Sequence, residues 1–355
     1  MSTETELPKL KCLIWDLDHT LWHGVLAEGD ELQLRPGARE LIETLDARGV
    51  LQSIASRNDH ELAWAKLTEL GLADYFLVPQ INWGPKSESV AEIAETLNLG
   101  LDSFAFVDDQ PFEREEVQTA LPQVRIYDAA DIATLVDRPE FTPRFVTPDS
   151  RHRRALYQRD FQRQVAEEKF NGPSEEFLRS LDLSLRIAPA EPGDLERAEE
   201  LTLRTHQLNT TGRTFSHHEL DQLRQSDDHI LLVASLSDRF GDYGKIGLVL
   251  LSTDDSTWRI DLLLMSCRVM SRGVGGALIT WLRQQAKATG VELQAQFVET
   301  DRNRMMYITY KFAGFEEKSE VDGVTLFEND LLDIPELPDY FVMDAQISRV
   351  AEATS

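Results

Sequence analysis

A four-residue apolar run, Cys12-Leu13-Ile14-Trp15, breaks off into Asp16-Leu17-Asp18-His19-Thr20. Few folds accommodate that junction. A short apolar run without polar alternation reads as a strand buried on both faces, the habit of parallel sheets. Residues two apart on a strand point the same way, so a chain leaving the strand end can aim Asp16 and Asp18 at one point. Two carboxylates held that close repel unless a cation lies between them or one keeps a proton. Mg2+, a hard ion that takes carboxylate and phosphate oxygens together, is the economical solution. One carboxylate can then attack phosphorus while the other moves protons. An isolated Asp-x-Asp is more often a strand followed by a polar turn, so the downstream residues have to decide.

They arrive in a regular alternation. Leu21 to Asp30, with glycines among alternating apolar residues, suggests a small hairpin flap. Pro36-Gly37 opens an amphipathic helix from Ala38 to Arg48 that stops at Gly49. Val50 to Ala55 reads as a second strand ending at Ser56-Arg57-Asn58-Asp59, and a helix from His60 to Leu70 follows. Phe76-Leu77-Val78-Pro79 reads as a third strand, Glu88 to Leu97 as a helix entered through Trp83-Gly84-Pro85-Lys86-Ser87, and Ser103 to Val107 as a fourth strand ending at Asp108-Asp109. Such alternation predicts a doubly wound parallel α/β sheet, whose ligands sit outside the carboxyl ends of the strands. Asp16, Asp18, Ser56, Asp108 and Asp109 fall at strand ends and Lys86 opens a helix, so one pocket can hold them all. Ser56 would donate to a phosphoryl oxygen, Lys86 would balance its charge, and Asp108 would complete a Mg2+ shell with Asp16 and the backbone carbonyl of Asp18. Thr20, Arg57 and Asn58 are further candidate phosphate contacts, and Asp109 a further candidate metal ligand. Singly, each has a dull explanation: Ser56 as a helix cap, Lys86 as a surface lysine, Asp108-Asp109 as a turn. The ordered set is specific and resembles the haloacid-dehalogenase superfamily of phosphatases. The Asp16–Ser56 and Ser56–Lys86 intervals leave no room for a folded cap domain, so the pocket should be open.

The length of 355 residues suggests two domains, and the two cysteines, Cys12 and Cys267, cannot build a disulfide framework, which fits a reducing cytoplasm. The polar stretch Met1 to Lys11 lacks an apolar leader core, and no apolar run is long enough for a membrane span. A net charge of −26 argues against nucleic-acid binding and means that a phosphorylated ligand needs a locally positive or metal-bearing pocket. The boundaries read as a first domain over 1–148, a basic helical connector over 149–182, a second α/β domain over 183–334 and a tail over 335–355. Arg151, Arg153, Arg154, Arg159 and Arg163 make the connector basic, either as a solvated linker helix or as a docking strip for an acidic partner.

In the second domain Leu183 to Ile187, Ile230 to Ala234, Ile246 to Leu251, Trp258 to Met265 and Gln294 to Val298 read as strands, with helices from Asp194 to Thr205 and up to Ala288. Arg272-Gly273-x-Gly275-x-Ala277, between a strand and a helix, has the form of a backbone anion cradle. With Asn303, Tyr310 and Gly314-Phe315 it resembles the GNAT N-acetyltransferase fold, which binds the pantetheine arm of an acyl carrier.

The pairing of the two halves resembles the FkbH-like family, over about Lys11 to Phe315. The stretches that carry it run from Lys11 to Trp22, Ile81 to Ser89 and Phe106 to Glu113, then Gln207-Leu208-Asn209, Asp238 to Asp242 and Ser266 to Val269. His19 replaces the usual Asn, His23 replaces a Gly, and Gly275 stands where many relatives carry Glu. The resemblance implies a cytoplasmic, Mg2+-dependent enzyme that takes 1,3-bisphosphoglycerate or a similar small phosphorylated molecule, releases both phosphates, and loads the glyceryl group as a thioester on the phosphopantetheine of an acyl carrier protein. It implies Asp16 as nucleophile and Asp18 as proton donor. A cysteine is the natural acyl intermediate: Cys267, Cys12, or neither if the carrier thiol attacks directly. His206 is a candidate base. Two rivals stand beside this: a phosphatase of a small phosphoester with a non-catalytic second domain, and an acyltransferase that uses acyl-coenzyme A.

Overall fold

In the computed structural model residues 10–143 and 146–347 are described, and the chain divides into two compact units, Met1–Gln158 and Arg159–Ser355. The leader stretch before residue 10 and the end of the tail lie outside the described residues.

The strands of the first unit are β1 (Cys12–Trp15), the short hairpin pair β2 (Trp22–His23) and β3 (Gln33–Leu34), β4 (Leu51–Ser56), β5 (Gln80–Ile81), β6 (Phe104–Asp108) and β7 (Arg125–Asp128). Its helices are α1 (Ala38–Ala47), α2 (His60–Glu69), α3 (Lys86–Thr96), α4 (Pro111–Ala120) and two single turns, α5 (Ile132–Leu135) and α6 (Pro148–Arg151). Five strands form an all-parallel sheet in the order β5-β4-β1-β6-β7. The chain winds one way from β1 through β4 to β5, then crosses to β6 and β7 on the other side. The reversal lies beside β1, so the crevice at its carboxyl end is where a ligand belongs. β1 is buried along its whole length. α1 buries Ala38, Leu41, Ile42 and Leu45, one stripe at helical spacing. Asp59 caps α2 by accepting from Leu62 N, and Pro111 starts α4, where a missing N–H costs nothing. The buried Gln52 is satisfied at both ends, accepting from Trp15 Nε1 at 3.1 Å and donating to Ile42 O at 2.9 Å.

The third strand differs from expectation. Phe76 makes only an isolated bridge to Gln52, and the paired strand is Gln80–Ile81. Val78 takes a positive φ of 50° and Pro79 offers no N–H, so the apolar run cannot remain extended and paired. The flap exists, but its two-residue strands enclose a loop with a 3-10 turn at Leu26–Glu28.

Helix α7 (Arg153–Glu168) runs across the division between the units. The second unit then contains α8 (Ser174–Arg179), β8 (Leu183–Pro189), α9 (Leu195–Arg204), α10 (His217–Gln225), β9 (His229–Asp238), β10 (Gly241–Thr253), β11 (Thr257–Met265), α11 (Val274–Thr289), β12 (Glu292–Val298), α12 (Arg304–Phe312), β13 (Phe315–Val321), β14 (Val324–Asn329) and β15 (Phe341–Ala345). Its eight-stranded sheet runs β13-β14-β12-β11-β10-β9-β8-β15. The pairs β11–β12 and β8–β15 are parallel and the rest antiparallel. The β11–α11–β12 crossover places the glycine-rich turn at the start of α11. The stretch expected to be a tail includes β15, which extends the sheet edge.

Most arginines of the basic connector have partners within the chain. Within the first unit Arg153 donates to Gly49 O at 2.9 Å, and Arg154 pairs with Asp46 at 2.8 Å and stacks on Tyr75. Within the second, Arg159 reaches Asp242 O and Arg163, 1% exposed, binds Asp238 at 2.7 Å and Asp160 at 2.8 Å while lying 3.6 Å over the Tyr243 ring. Removing one partner of so buried a pair costs about 3–5 kcal/mol. Four of the five arginines are thus engaged internally, and Arg151 is exposed. Among the described residues no helix is long and apolar enough to cross a membrane.

Candidate active site

Three parallel strands end together at the pocket. Asp16 follows β1 and donates its backbone N–H to Val107 O at 3.0 Å, Ser56 ends β4, and Asp108 ends β6. Lys86 enters from the first residue of α3. All four are buried. The ammonium lies 2.6 Å from Asp16 Oδ1 and 2.6 Å from Asp108 Oδ2, and touches Glu113 Oε2. Glu113, in the first turn of α4, is the member that sequence reasoning missed. A carboxylate five residues beyond Asp108 on a new helix carries no strand-end signal.

The charges do not balance: three buried carboxylates meet one ammonium and one guanidinium, that of Arg57 on Glu113. Burial first, then the charge of Asp16, pushes Asp108 up to about 7. Burial also raises Asp16, against the opposing pull of Lys86 and Ser56. Burial works to lower Lys86, but the charges of Asp16 and Asp108 outweigh it and hold the group above the ordinary lysine range. The Ser56 hydroxyl is buried beside Asp16 without closing a well-formed hydrogen bond, so a donor waits in the pocket.

The other sequence candidates are engaged elsewhere. Asp18 Oδ1 accepts from Trp22 Nε1 at 2.8 Å and Leu26 N at 3.1 Å, and its Oδ2 accepts from Asn58 Nδ2 at 2.9 Å. Asp18 therefore latches the flap, and Asn58 orients Asp18 rather than facing the pocket centre. Thr20 Oγ1 donates to Asp109 Oδ1 at 3.3 Å and accepts from Asp109 N at 3.0 Å, so Thr20 and Asp109 tie the first loop to the fourth. Arg57 pairs with Glu113 at 3.1 Å and donates to Gly84 O at 3.2 Å. His19 has φ 55°, in the left-handed region that His, like Asn, tolerates better than most residues.

The pocket fits a divalent cation. Ligand oxygens of Asp16, Asp108 and Glu113 lie within 4.8 Å of one another, all three residues are buried, and an all-oxygen donor set suits Mg2+. The carboxylates of Asp18 and Asp109 are outside that group, the first facing the flap and the second facing Thr20.

In the second unit the glycine turn is closed by the chain itself. Arg272, 6% exposed, pairs with Glu167 at 2.9 Å and lies 5.7 Å over Phe177. Gly273 starts α11 with φ 73°, and a Cβ there would stand 2.5 Å from the Tyr340 hydroxyl. A Cβ at Gly275 would stand 2.6 Å from Met265 Cε. Asn303 and Tyr310 are not brought to this turn as ligand groups. Asn303 is fully buried and donates to Asn209 O and Val298 O, both at 2.9 Å. Tyr310 packs its ring against Phe315 and Phe327, and burial raises its hydroxyl above the ordinary range. Cys267 is partly buried, with Sγ 4.0 Å from Gln207 Oε1, and His206 is exposed in the loop after α9. Cys12 is fully buried, and burial drives its thiol far above the usual range. It therefore offers no thiolate.

Residues 17–113 match the family model of a haloacid dehalogenase-like hydrolase. No curated protein matches the sequence. Among solved structures, the N-terminal phosphatase part of a Bacteroides fragilis protein, complexed with Mg, is 30% identical over 35% of this chain and 38% of that one, with a TM-score of 0.33. This chain thus spans well under half of that protein. A GNAT-family acetyltransferase from Streptococcus pneumoniae is 21% identical over 41% of this chain and 98% of its own, TM-score 0.32. An N-acetyltransferase from Thermoplasma acidophilum, in complex with coenzyme A, is 18% identical over 41% and 98%, TM-score 0.34. Residues 17–113 of the first unit are thus similar to a haloacid dehalogenase-like hydrolase, and the second unit is a mixed α/β domain built on an eight-stranded sheet.

Proposed function

We propose that the protein is a Mg2+-dependent enzyme that dephosphorylates 1,3-bisphosphoglycerate, or a close relative, and loads its glyceryl group as a thioester on the phosphopantetheine of an acyl carrier protein. The observation that carries the phosphoryl half is Lys86 held between Asp16 and Asp108 beside the waiting Ser56 hydroxyl. Asp16 attacks phosphorus and the leaving oxygen departs with a proton from Asp18, which has first to give up its flap bonds to Trp22 and Leu26. Water then splits the aspartyl phosphate, with Asp18 taking a proton back. Lys86 and Ser56 hold the phosphoryl oxygens. Bound Mg2+, held by Asp16 and Asp108, would neutralise charge between carboxylate and phosphoryl group. In the acyl half a thiolate displaces phosphate from the acyl phosphate and forms the thioester. Cys267 or the carrier's own thiol supplies it, since Cys12 is sealed in the core.

One observation favours a second reading, a phosphatase whose second unit is non-catalytic: Glu167, Tyr340 and Met265 occupy the glycine turn. The same observation speaks against acyl-coenzyme A as donor. The test is intact mass of a holo carrier protein after incubation with full chain, Mg2+ and 1,3-bisphosphoglycerate. The expected result is a glyceryl mass shift, which Cys267→Ser removes if Cys267 supplies the thiolate and leaves in place if the carrier's own thiol attacks, with phosphate release continuing in either case. Phosphate release with no shift on any carrier would leave the phosphatase reading.

A further inference from the structure

Glu113 stands in the first turn of α4 and is 5% exposed. Both of its oxygens are engaged: Oε1 lies 3.1 Å from Arg57 Nη1, and Oε2 touches Lys86 Nζ. One buried carboxylate therefore joins two cations, the ammonium that sits on Asp16 and a guanidinium further out. Arg57 directly follows Ser56, and its side chain is 37% exposed. Its Nε donates to Gly84 O at 3.2 Å, so the planar group is pinned along two nitrogens. Its Nη2 has no hydrogen-bond partner among the described residues. A guanidinium fixed in advance binds an anion with little further loss of side-chain freedom, and its fork matches carboxylate or phosphate. In a chain of net charge −26, a pinned cation beside the phosphoryl pocket is not explained by surface charge balance.

We propose that Glu113 is a positioning residue that fixes Arg57 beside the Lys86 pocket, so that the site selects phosphoesters carrying a second anionic group a few bonds from the phosphorus. The inference rests on the phosphoester reading of the first unit and deepens it. Glu113 acts through Arg57 and Lys86. Both oxygens of Asp108 are engaged as well, by Lys86 Nζ and Gln110 N, so engagement alone does not choose the ligand; Glu113 is assigned to the two cations, and the divalent ion is left to Asp16 and Asp108.

The probes are 3-phosphoglycerate, with two anionic groups, and glycerol 3-phosphate, with one. Affinities are measured by calorimetry with Mg2+ on the full chain carrying Asp16→Asn, which prevents turnover. The expected result is at least a tenfold preference for 3-phosphoglycerate in that background. Adding Arg57→Ala, or adding Glu113→Gln, lowers the preference below threefold, and adding both lowers it no further, because the two residues act as one unit. Equal affinity for the two esters, no binding of either, or effects of the two substitutions that multiply would overturn the proposal. So would a loss of Mg2+ affinity above tenfold on Glu113→Gln alone, which would assign Glu113 to the ion. Turnover by the unsubstituted chain is a separate arm. If it hydrolyses neither ester, the phosphoester reading fails, while the binding preference still decides the role of Glu113.

Discussion

At the carboxyl end of β1, three buried carboxylates face one ammonium and the guanidinium of Arg57, and a buried hydroxyl waits without a well-formed hydrogen bond. At the start of α11, the arginine is paired with Glu167 and the two glycines are covered by Tyr340 and Met265. Both regions are a strand end followed by a helix, and both look like anion sites in sequence. The difference lies in what their charges still need. The first keeps one carboxylate in excess of its cations unless a proton or a metal ion is added, and added charge there is worth more because water is excluded. In the second, one cation is matched by one carboxylate of its own chain, although Arg272 Nε is left without a hydrogen bond. A motif therefore marks where a ligand could go, and the unspent charge marks where one is required.

The largest effect that could break this contrast is at the ion. Asp108→Asn should lower Mg2+ affinity on the order of 100-fold, as loss of a metal-site group does, read by calorimetry. In the unsubstituted protein a proton competes with the ion at Asp108, which sits at about 7. Mg2+ affinity should then fall about tenfold per pH unit below that point and level off above it. Asp108→Asn should flatten the profile, and a flat profile in the unsubstituted chain would contradict the assignment. The sign for stability follows from the same shift. A carboxyl raised in the fold binds more protons there than when unfolded, so the metal-free protein should lose stability as pH climbs from about 4 towards 7, and Mg2+ should restore it.

The smaller effect is at the glycine turn. Glu167→Ala should leave phosphate release within twofold of the unsubstituted chain, and should cost about 1–3 kcal/mol in thermal unfolding, since it leaves the buried Arg272 without its carboxylate. Coenzyme A should show no binding to the full chain by calorimetry. Micromolar binding would show that the turn is open and would dissolve the comparison.

Much of the first unit was legible because buried parallel strands leave continuous apolar runs such as Leu13-Ile14-Trp15, and strand-end polar residues follow directly. What was missed has physical reasons. β13, Phe315–Val321, is exposed at every residue after the first, so it pairs through its backbone without an apolar signature. β7 is four residues long and half polar. Glu113 acquires its place only through the turn of α4, beyond the reach of strand periodicity. The arginines after residue 150 read as a basic face because sequence does not show Asp46 and Asp238 waiting for them. Asn303 and Tyr310 stand at suggestive spacings, yet the Asn303 amide serves the core and the Tyr310 hydroxyl is buried without a well-formed hydrogen bond.

The account turns on Asp16 as the group that meets phosphorus in a pocket completed by a divalent ion. The direct measurement is phosphate release from 1,3-bisphosphoglycerate by the full chain, with and without Mg2+, for the unsubstituted protein and Asp16→Asn. The account expects release that a chelator abolishes and that Asp16→Asn lowers by at least about a thousandfold, the scale of losing a covalent nucleophile. Release by Asp16→Asn at a tenth or more of the unsubstituted rate, or release unaffected by the chelator, would contradict it.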